Sequence, residues 1–339
     1  MNLARVCCCA LLALPVSLIL AQEKKTEKKT ERKESLAVTD PAKAGTDFAI
    51  QGEYVGELTA EGDKGKVGLQ IIALGDGKFR AVVHRHGLPG AGWDKKDKLS
   101  AEGALENGSV RFIVKGEPGE TLRYKDGAVH LIEGGKPGAE FKKVERKSPT
   151  LGAKPPKGAV VLFDGTSADA FVGGRMTDDK LLMQGITSKQ KFQDCTVHLE
   201  FQLSYMPYAR GQGRANSGCY LQGRYEVQIL DSFGLEGKNN ECGGIYETRD
   251  PDVNMCLPPL AWQTYDIDYM AARYDAAGKK TANARITVKH NGVVVHQDVE
   301  LPKATRGNPV PEGPEPGPLY IQDHGNPIRF QNIWVVEKK

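Results

Sequence analysis

Period-two alternation of apolar and polar residues, with no helical period kept over twelve or more residues, is what most limits the folds open to this chain. Cys195 to Leu203 sets Val197, Leu199, Phe201 and Leu203 against Thr196, His198, Glu200 and Gln202. Gln263 to Tyr269 sets Tyr265, Ile267 and Tyr269 against Thr264, Asp266 and Asp268. Ala284 to Glu300 reads as a hairpin turning at Asn291-Gly292, a pair suited to a type I′ turn. Ile328 to Val336 reads as a last strand. Upstream, Val67–Leu74, Lys78–His84, Ser109–Lys115 and Ala128–Ile132 are shorter β-like runs, punctuated by Asn107-Gly108 and Asp126-Gly127. His84 and His86 lie two apart in the second of these and read as an exposed structural pair. The chain is therefore expected to be all-β, with many antiparallel strands and long loops in its C-terminal half, as in a sandwich or jelly roll.

Composition divides it further. Residues 1–21 read as a secretory signal: Arg5, then an apolar run from Ala10 to Leu20, then Ala21 before a cleavage point. The run is too short for a comfortable membrane span, so no transmembrane segment is expected after cleavage and the protein is placed in the periplasm or outside the cell. Residues 22–46 are expected to form a disordered tail, whose first part, QEKKTEKKTERKE, is charged and has no apolar residues to form a core. Residues 1–34 carry the whole net charge of +3, which leaves the remainder neutral and without a basic surface for nucleic acid. A small β-rich accessory domain is expected over 47–146. A linker over 147–157 follows, containing the Pro-, Gly- and Lys-rich KSPTLGAKPP, and the main domain runs over 158–339. Cys195, Cys219, Cys242 and Cys256 remain after cleavage. They allow three full pairings, and the spacing leaves these and free thiols equally open.

The segment Gly218 to Asp231, GCYLQGRYEVQILD, points to function. Its even positions, Tyr220, Gln222, Arg224, Glu226 and Gln228, form a polar face opposite Cys219, Leu221, Tyr225, Val227 and Ile229. The pattern reads as one strand that Gly223 bends or bulges. Arginine, glutamate, glutamine and tyrosine on one face suit hydrogen bonding to sugar hydroxyls and carbonyls; the alternative is a solvated strand with an Arg224–Glu226 pair. A second cluster, YIQDHGN, places Asp323 beside His324, an acid and an imidazole able to serve proton transfer or metal ligation. Serine-hydrolase, HExxH and Walker signatures are absent.

Seven separated motifs then resemble one family in order. They are VVLFDGT (160–166), NSG (216–218), GRYEVQILDS (223–232), CGGIY (242–246), TYDIDY (264–269) with ITVKHNGVVV (286–295), and GPLYIQDHGNPIRFQNIWV (317–335). Together they resemble the 3-keto-disaccharide hydrolase domain, formerly a domain of unknown function, over about 158–337. AFVGG (170–174) stands where many relatives carry Gly-Trp. The resemblance implies a concanavalin-like jelly roll acting on oxidised sugars, as a hydrolase or as a lyase. A ketone at C3 acidifies the C2 hydrogen. A base can then remove that proton, the C1 oxygen can leave, and water can add afterwards, a route unlike the two-carboxylate scheme of ordinary glycosidases. On this reading Glu226 or His324 is the base, Arg224 stabilises the enolate, and Asp231 or Asp323 supplies the acid. Asn216, Tyr220, Gln228, Asp323 and Trp262 are the expected substrate contacts. A divalent metal held by Glu226, His324 and an aspartate is the alternative to Arg224. A lectin-like module that binds unoxidised sugar without turnover is the rival from another class, since the fold alone does not decide between them.

Overall fold

The computed structural model describes residues 33–59, 64–96, 98–114, 119 and 121–338. The expected signal over 1–21 and most of the charged run after it lie outside the described residues. The rest of the expected tail is built into the fold: Val38 bridges Tyr205, Lys33 pairs with Asp76 at 2.9 Å, and Pro41–Lys43 forms a 3-10 turn capped by Asp40. A short helix, α1 (Gly45–Ile50), leads into the first strand. Among the described residues no helix is long and apolar enough to cross a membrane.

Eight antiparallel strands close a barrel. They are β1 (Gly52–Leu58), β2 (Gly65–Gly75), β3 (Lys78–Arg85), β4 (Lys98–Glu106), β5 (Ser109–Val114), β6 (Leu122–Lys125), β7 (Ala128–Glu133) and β8 (Lys136–Val144), and β1 pairs with both β2 and β8. The Asn107-Gly108 and Asp126-Gly127 pairs, read from the sequence as turns, have both residues at positive φ, as in type I′ turns. β2 is apolar on both faces for a physical reason. Leu69, Ile71 and Ala73 fill the barrel interior, as side chains must in a barrel this small, while Ile72 joins the core of the C-terminal sheets together with Val82 of β3. His84 is buried against Gln70 and the Trp93 ring, whereas His86 is exposed beyond the strand end, so the two do not form the exposed pair read from the sequence.

The second half begins with β9 (Val160–Phe163), β10 (Phe171–Val172), β11 (Leu182–Met183), β12 (Ile186–Phe192), β13 (Cys195–Gln202), β14 (Asn216–Leu221) and β15 (Tyr225–Leu230). It continues with β16 (Trp262–Met270), β17 (Arg273–Tyr274), β18 (Lys280–Ala282), β19 (Ala284–His290), β20 (Val293–Leu301), β21 (Gly317–Ile321) and β22 (Arg329–Glu337). One sheet has the order β10-β12-β21-β14-β15. The other has the order β11-β22-β13-β16-β19-β20, with β9 also paired to β22. The alternating residues Val197, Leu199, Phe201, Tyr265, Ile267 and Tyr269 of one sheet and Cys219, Leu221, Val227 and Ile229 of the other share one core. The opposite face of β13 is not solvated. His198 and Glu200 lie under residues 148–153, where Ser148 and Thr150 bond Thr264, Thr150 bonds Asp266, and Gly152 N–H donates to Glu200 at 2.6 Å.

Candidate active site

The alternating segment 218–231 is the end of one strand, a turn and a second strand. Gln222 and Gly223 both have positive φ, and Arg224 N–H donates to Leu221 C=O at 3.0 Å, closing a type I′ turn between β14 and β15. The register pairs Tyr220 with Glu226 and Gly218 with Gln228. Paired residues share parity, so the polar face survives the reversal and belongs to two neighbouring strands. β21 adds Tyr320 beside Tyr220, with their rings 5.2 Å apart.

On this face lies a cleft of about 250 Å³, lined by Asn216, Tyr220, Glu226, Gln228 and His324 from the expected set, and by Gln212, Tyr246, Arg306, Gly307 and Gln322. Glu226 lies deep, only 2% exposed. Its Oε2 accepts the Tyr220 hydroxyl at 2.7 Å, and its backbone N–H donates to Thr305 Oγ1. Burial pushes its carboxyl up to about 8, against the lowering effect of the Tyr220 bond; nearby Glu247 adds to the rise. Gly218 makes room for this carboxylate, since a Cβ there would stand 2.0 Å from Glu226 Oε1. Gly218→Ala is therefore expected to leave the fold intact and lower turnover by about 10²-fold through displacement of Glu226. Circular dichroism together with kinetics would test it, and unchanged turnover would refute the packing argument.

An amide cluster lines another part of the cleft. Gln228 Nε2 donates to Gln212 Oε1 at 3.1 Å, and Asn216 Nδ2 donates to Gln212 C=O at 2.9 Å. Gln228 Oε1 has no protein partner, so it is an acceptor left for a ligand hydroxyl or water. Gln322 Nε2 reaches the Tyr220 oxygen at 3.4 Å. Arg306 and His324 are exposed at the mouth, where Arg306 pairs with Glu247 at 3.1 Å.

Four expected site residues lie elsewhere. Arg224 is buried and committed: Nε donates to Pro311 C=O at 2.8 Å, and Nη1 to Gln222 Oε1 and Glu315 C=O. Its own carbonyl accepts Thr305 N–H, so it fastens the loop that carries Arg306 rather than meeting a substrate. Asp231 is fully buried and paired with Arg214 at 2.7 Å, away from the cleft. Asp323 caps a turn by accepting Gly325 N–H at 2.9 Å and does not line the cleft beside His324. Trp262 lines a different cavity of about 430 Å³, between the barrel and the sheets, with Phe48, Gln51 and Lys143. For a metal, Glu226 and His324 are the acid and imidazole of this cleft, and the aspartates expected beside them are elsewhere. Among the described residues no group of three or more His, Cys, Asp and Glu is assembled to hold an ion. The residues here do not make a three-ligand catalytic set.

Comparison with known proteins follows this geometry. Residues 158–336 match the family model described as the 3-keto-alpha-glucoside-1,2-lyase-like domain. Two crystal structures from Parabacteroides distasonis ATCC 8503, both provisionally named glycosyl hydrolases, are similar. One is 32% identical, covering 54% of this chain and 85% of its own, with a TM-score of 0.48. The other is 16% identical, covering 54% and 95%, with a TM-score of 0.40. No curated protein matches the chain.

Proposed function

The chain belongs to the 3-keto-alpha-glucoside-1,2-lyase-like domain family through residues 158–336, and from that membership we propose that it cleaves the glycosidic bond of 3-keto-glycosides by β-elimination. One observation carries the mechanism. A buried carboxyl, pushed up to about 8 and bonded to Tyr220, shares a small cleft with an exposed imidazole.

The depth of each group assigns its role. A cleft of about 250 Å³ suits a single sugar ring, with the leaving group pointing outward. Glu226, at the bottom, meets the ring and takes the C2 proton. Its raised pKa makes it a far stronger base than an ordinary carboxylate. The electron pair of the C2–H bond becomes the C2–C3 double bond as charge moves to the C3 oxygen, which Arg306 and the Gln322 amide stabilise in place of Arg224. The enolate then re-forms its carbonyl, the double bond shifts to C1–C2, and the C1–O bond breaks. His324, at the mouth, gives its proton to the departing oxygen. Water adding across C1–C2 completes hydrolysis, while release before that step makes the enzyme a lyase. Asn216, Gln212 and Gln228 hold ring hydroxyls. The two packed antiparallel sheets support a concanavalin-like jelly roll, and the leader-like residues 1–21 support export.

The test is incubation of the protein with a 3-keto-disaccharide and with its unoxidised parent in D₂O, followed by mass spectrometry. Cleavage of the keto sugar alone is the expected result, with deuterium at C2 of the product where water has added back and an unsaturated product lacking a C2 hydrogen where it has not. Equal cleavage of both, or binding of the parent with no turnover of either, overturns the proposal; the second outcome is that of a lectin-like module.

A further inference from the structure

Four buried cysteines lie in the C-terminal half, and all four are thiols in this structure. Two of them are brought together by a connected set of hydrogen bonds. Cys242 N–H donates to Ser232 Oγ at 3.0 Å, the Asn254 amide donates to Ser232 C=O at 2.8 Å, and Cys256 N–H donates to Asn254 Oδ1 at 3.0 Å. Ser232 and Asn254 thus tie the backbones of Cys242 and Cys256 into one folded stretch of the loop 232–259. The Cys256 thiol points at Leu230 C=O at 3.6 Å, and Cys242 Sγ lies 3.2 Å from Tyr265 Oη, itself bonded to Gln228 C=O on the same strand. Both thiols are thus directed at the same stretch of β15, Cys242 through Tyr265 at Gln228 and Cys256 at Leu230.

We propose that Cys242 and Cys256 are a disulfide site, one that closes in an oxidising environment and ties down the edge of the active-site cleft. The pair encloses residues 243–255. Directly after Cys242 the chain runs beside β15: Gly243 N–H donates to Gln228 C=O, Gln228 N–H to Gly244 C=O, and Tyr246 N–H to Glu226 C=O. Tyr246 lines the cleft. A bond at Cys242 therefore restrains the segment that borders Glu226 and Gln228. Cys195 and Cys219 lie in strands of opposite sheets with no such set of bonds between them, and they stay reduced.

The chemistry is thiol–disulfide exchange with a small disulfide such as oxidised glutathione. One protein thiolate attacks it, forming a mixed disulfide and releasing one glutathione. The second protein thiolate displaces the other. Two protein thiols lose two electrons and two protons, and one oxidised glutathione becomes two reduced molecules.

The full chain is refolded with oxidised and with reduced glutathione, then mapped without reduction and titrated for thiols in denaturant. The expected product of oxidation is a peptide joining Cys242 to Cys256, two hydrogens lighter than the separate peptides, with Cys195 and Cys219 still titratable. Its melting temperature rises by about 5–10 °C relative to the reduced form. Cys256→Ser abolishes both the link and the rise. Free thiols at both Cys242 and Cys256 after oxidative refolding, or a link from either to another cysteine of the chain, overturns the proposal. None of these readouts depends on sugar chemistry, so they stand apart from the proposed function.

Discussion

Glu226→Gln is expected to lower kcat on a 3-keto-disaccharide by about 10²–10⁴-fold with little change in fold. The substitution keeps the shape. The amide oxygen still accepts the Tyr220 hydroxyl, and the amide nitrogen occupies the space that Gly218 leaves beside Oε1. Only the ability to take a proton is lost. On a 3-keto-glycoside with a phenolate leaving group, which needs no acid, the wild type should show kcat/KM climbing with pH to a plateau above about 8, as the carboxyl ionises, and the Gln variant should lose that limb. The variant should also lose deuterium exchange at C2. His324→Ala separates the second proton transfer from the first. With a 3-keto-glycoside whose leaving group is a stable phenolate, departure needs no acid, so His324→Ala should turn it over nearly normally while Glu226→Gln remains impaired. A wild-type rate on the phenolate substrate that falls on passing pH 8, or a Gln variant that retains exchange at C2, would remove Glu226 from the role of base.

How much of this was readable follows from which residues obey a period. The strands read from the sequence, β2, β3, β5 and β7 of the barrel and β13, β16, β19, β20 and β22 of the sheets, show as runs or alternation because each side chain either enters a core or does not, whereas β1, β4, β6 and β8 of the barrel were not read. Even β2, apolar on both faces, makes sense once the barrel exterior is seen to dock through Ile72. The even-numbered polar face of 220–228 was legible for the same reason, and parity survived a reversal at Gln222-Gly223 that the alternation itself hid. Arg224 was misread because the turn takes it off the strand and the loop 302–316 claims its guanidinium. Asp231 was misread because its partner, Arg214, is distant in sequence and no local pattern links them. Gln322 shares the parity of Tyr320 and was reachable by the argument applied to Tyr220. Tyr246 and Arg306 come from irregular segments, where no period indicates the direction of a side chain. Trp262 begins β16 in the sheet that lies away from the cleft, a pairing that only the topology reveals.

The second large effect is on stability, and its sign opposes the usual behaviour of a carboxylate. An ion-paired acid stabilises a fold as it ionises. Glu226 does the reverse, because burial, the dominant influence on it, favours the neutral form. The unfolded chain gives up this proton near the ordinary value of 4.5, and the folded chain holds it until about 8. Between those values the folded state binds more protons than the unfolded one, so stability falls as pH rises through this window and levels off above it. The loss is roughly 5 kcal/mol in full, and smaller if the cleft relaxes to admit water around the ionised group. Other groups titrate over the same range, and so the quantity to measure is the difference between wild type and Glu226→Gln in denaturant unfolding at pH 5.5 and pH 9. The variant should be close to wild type at the lower pH and more stable than it at the higher. A parallel pair of curves would mean that the carboxyl ionises at no cost, with water already around it. The depth that makes Glu226 a strong base would then be gone, and with it the reason to prefer Glu226 over His324 for the proton at C2. The same burial thus sets both the strength of the base and the loss of stability at high pH, and a single variant measured in both assays ties them together.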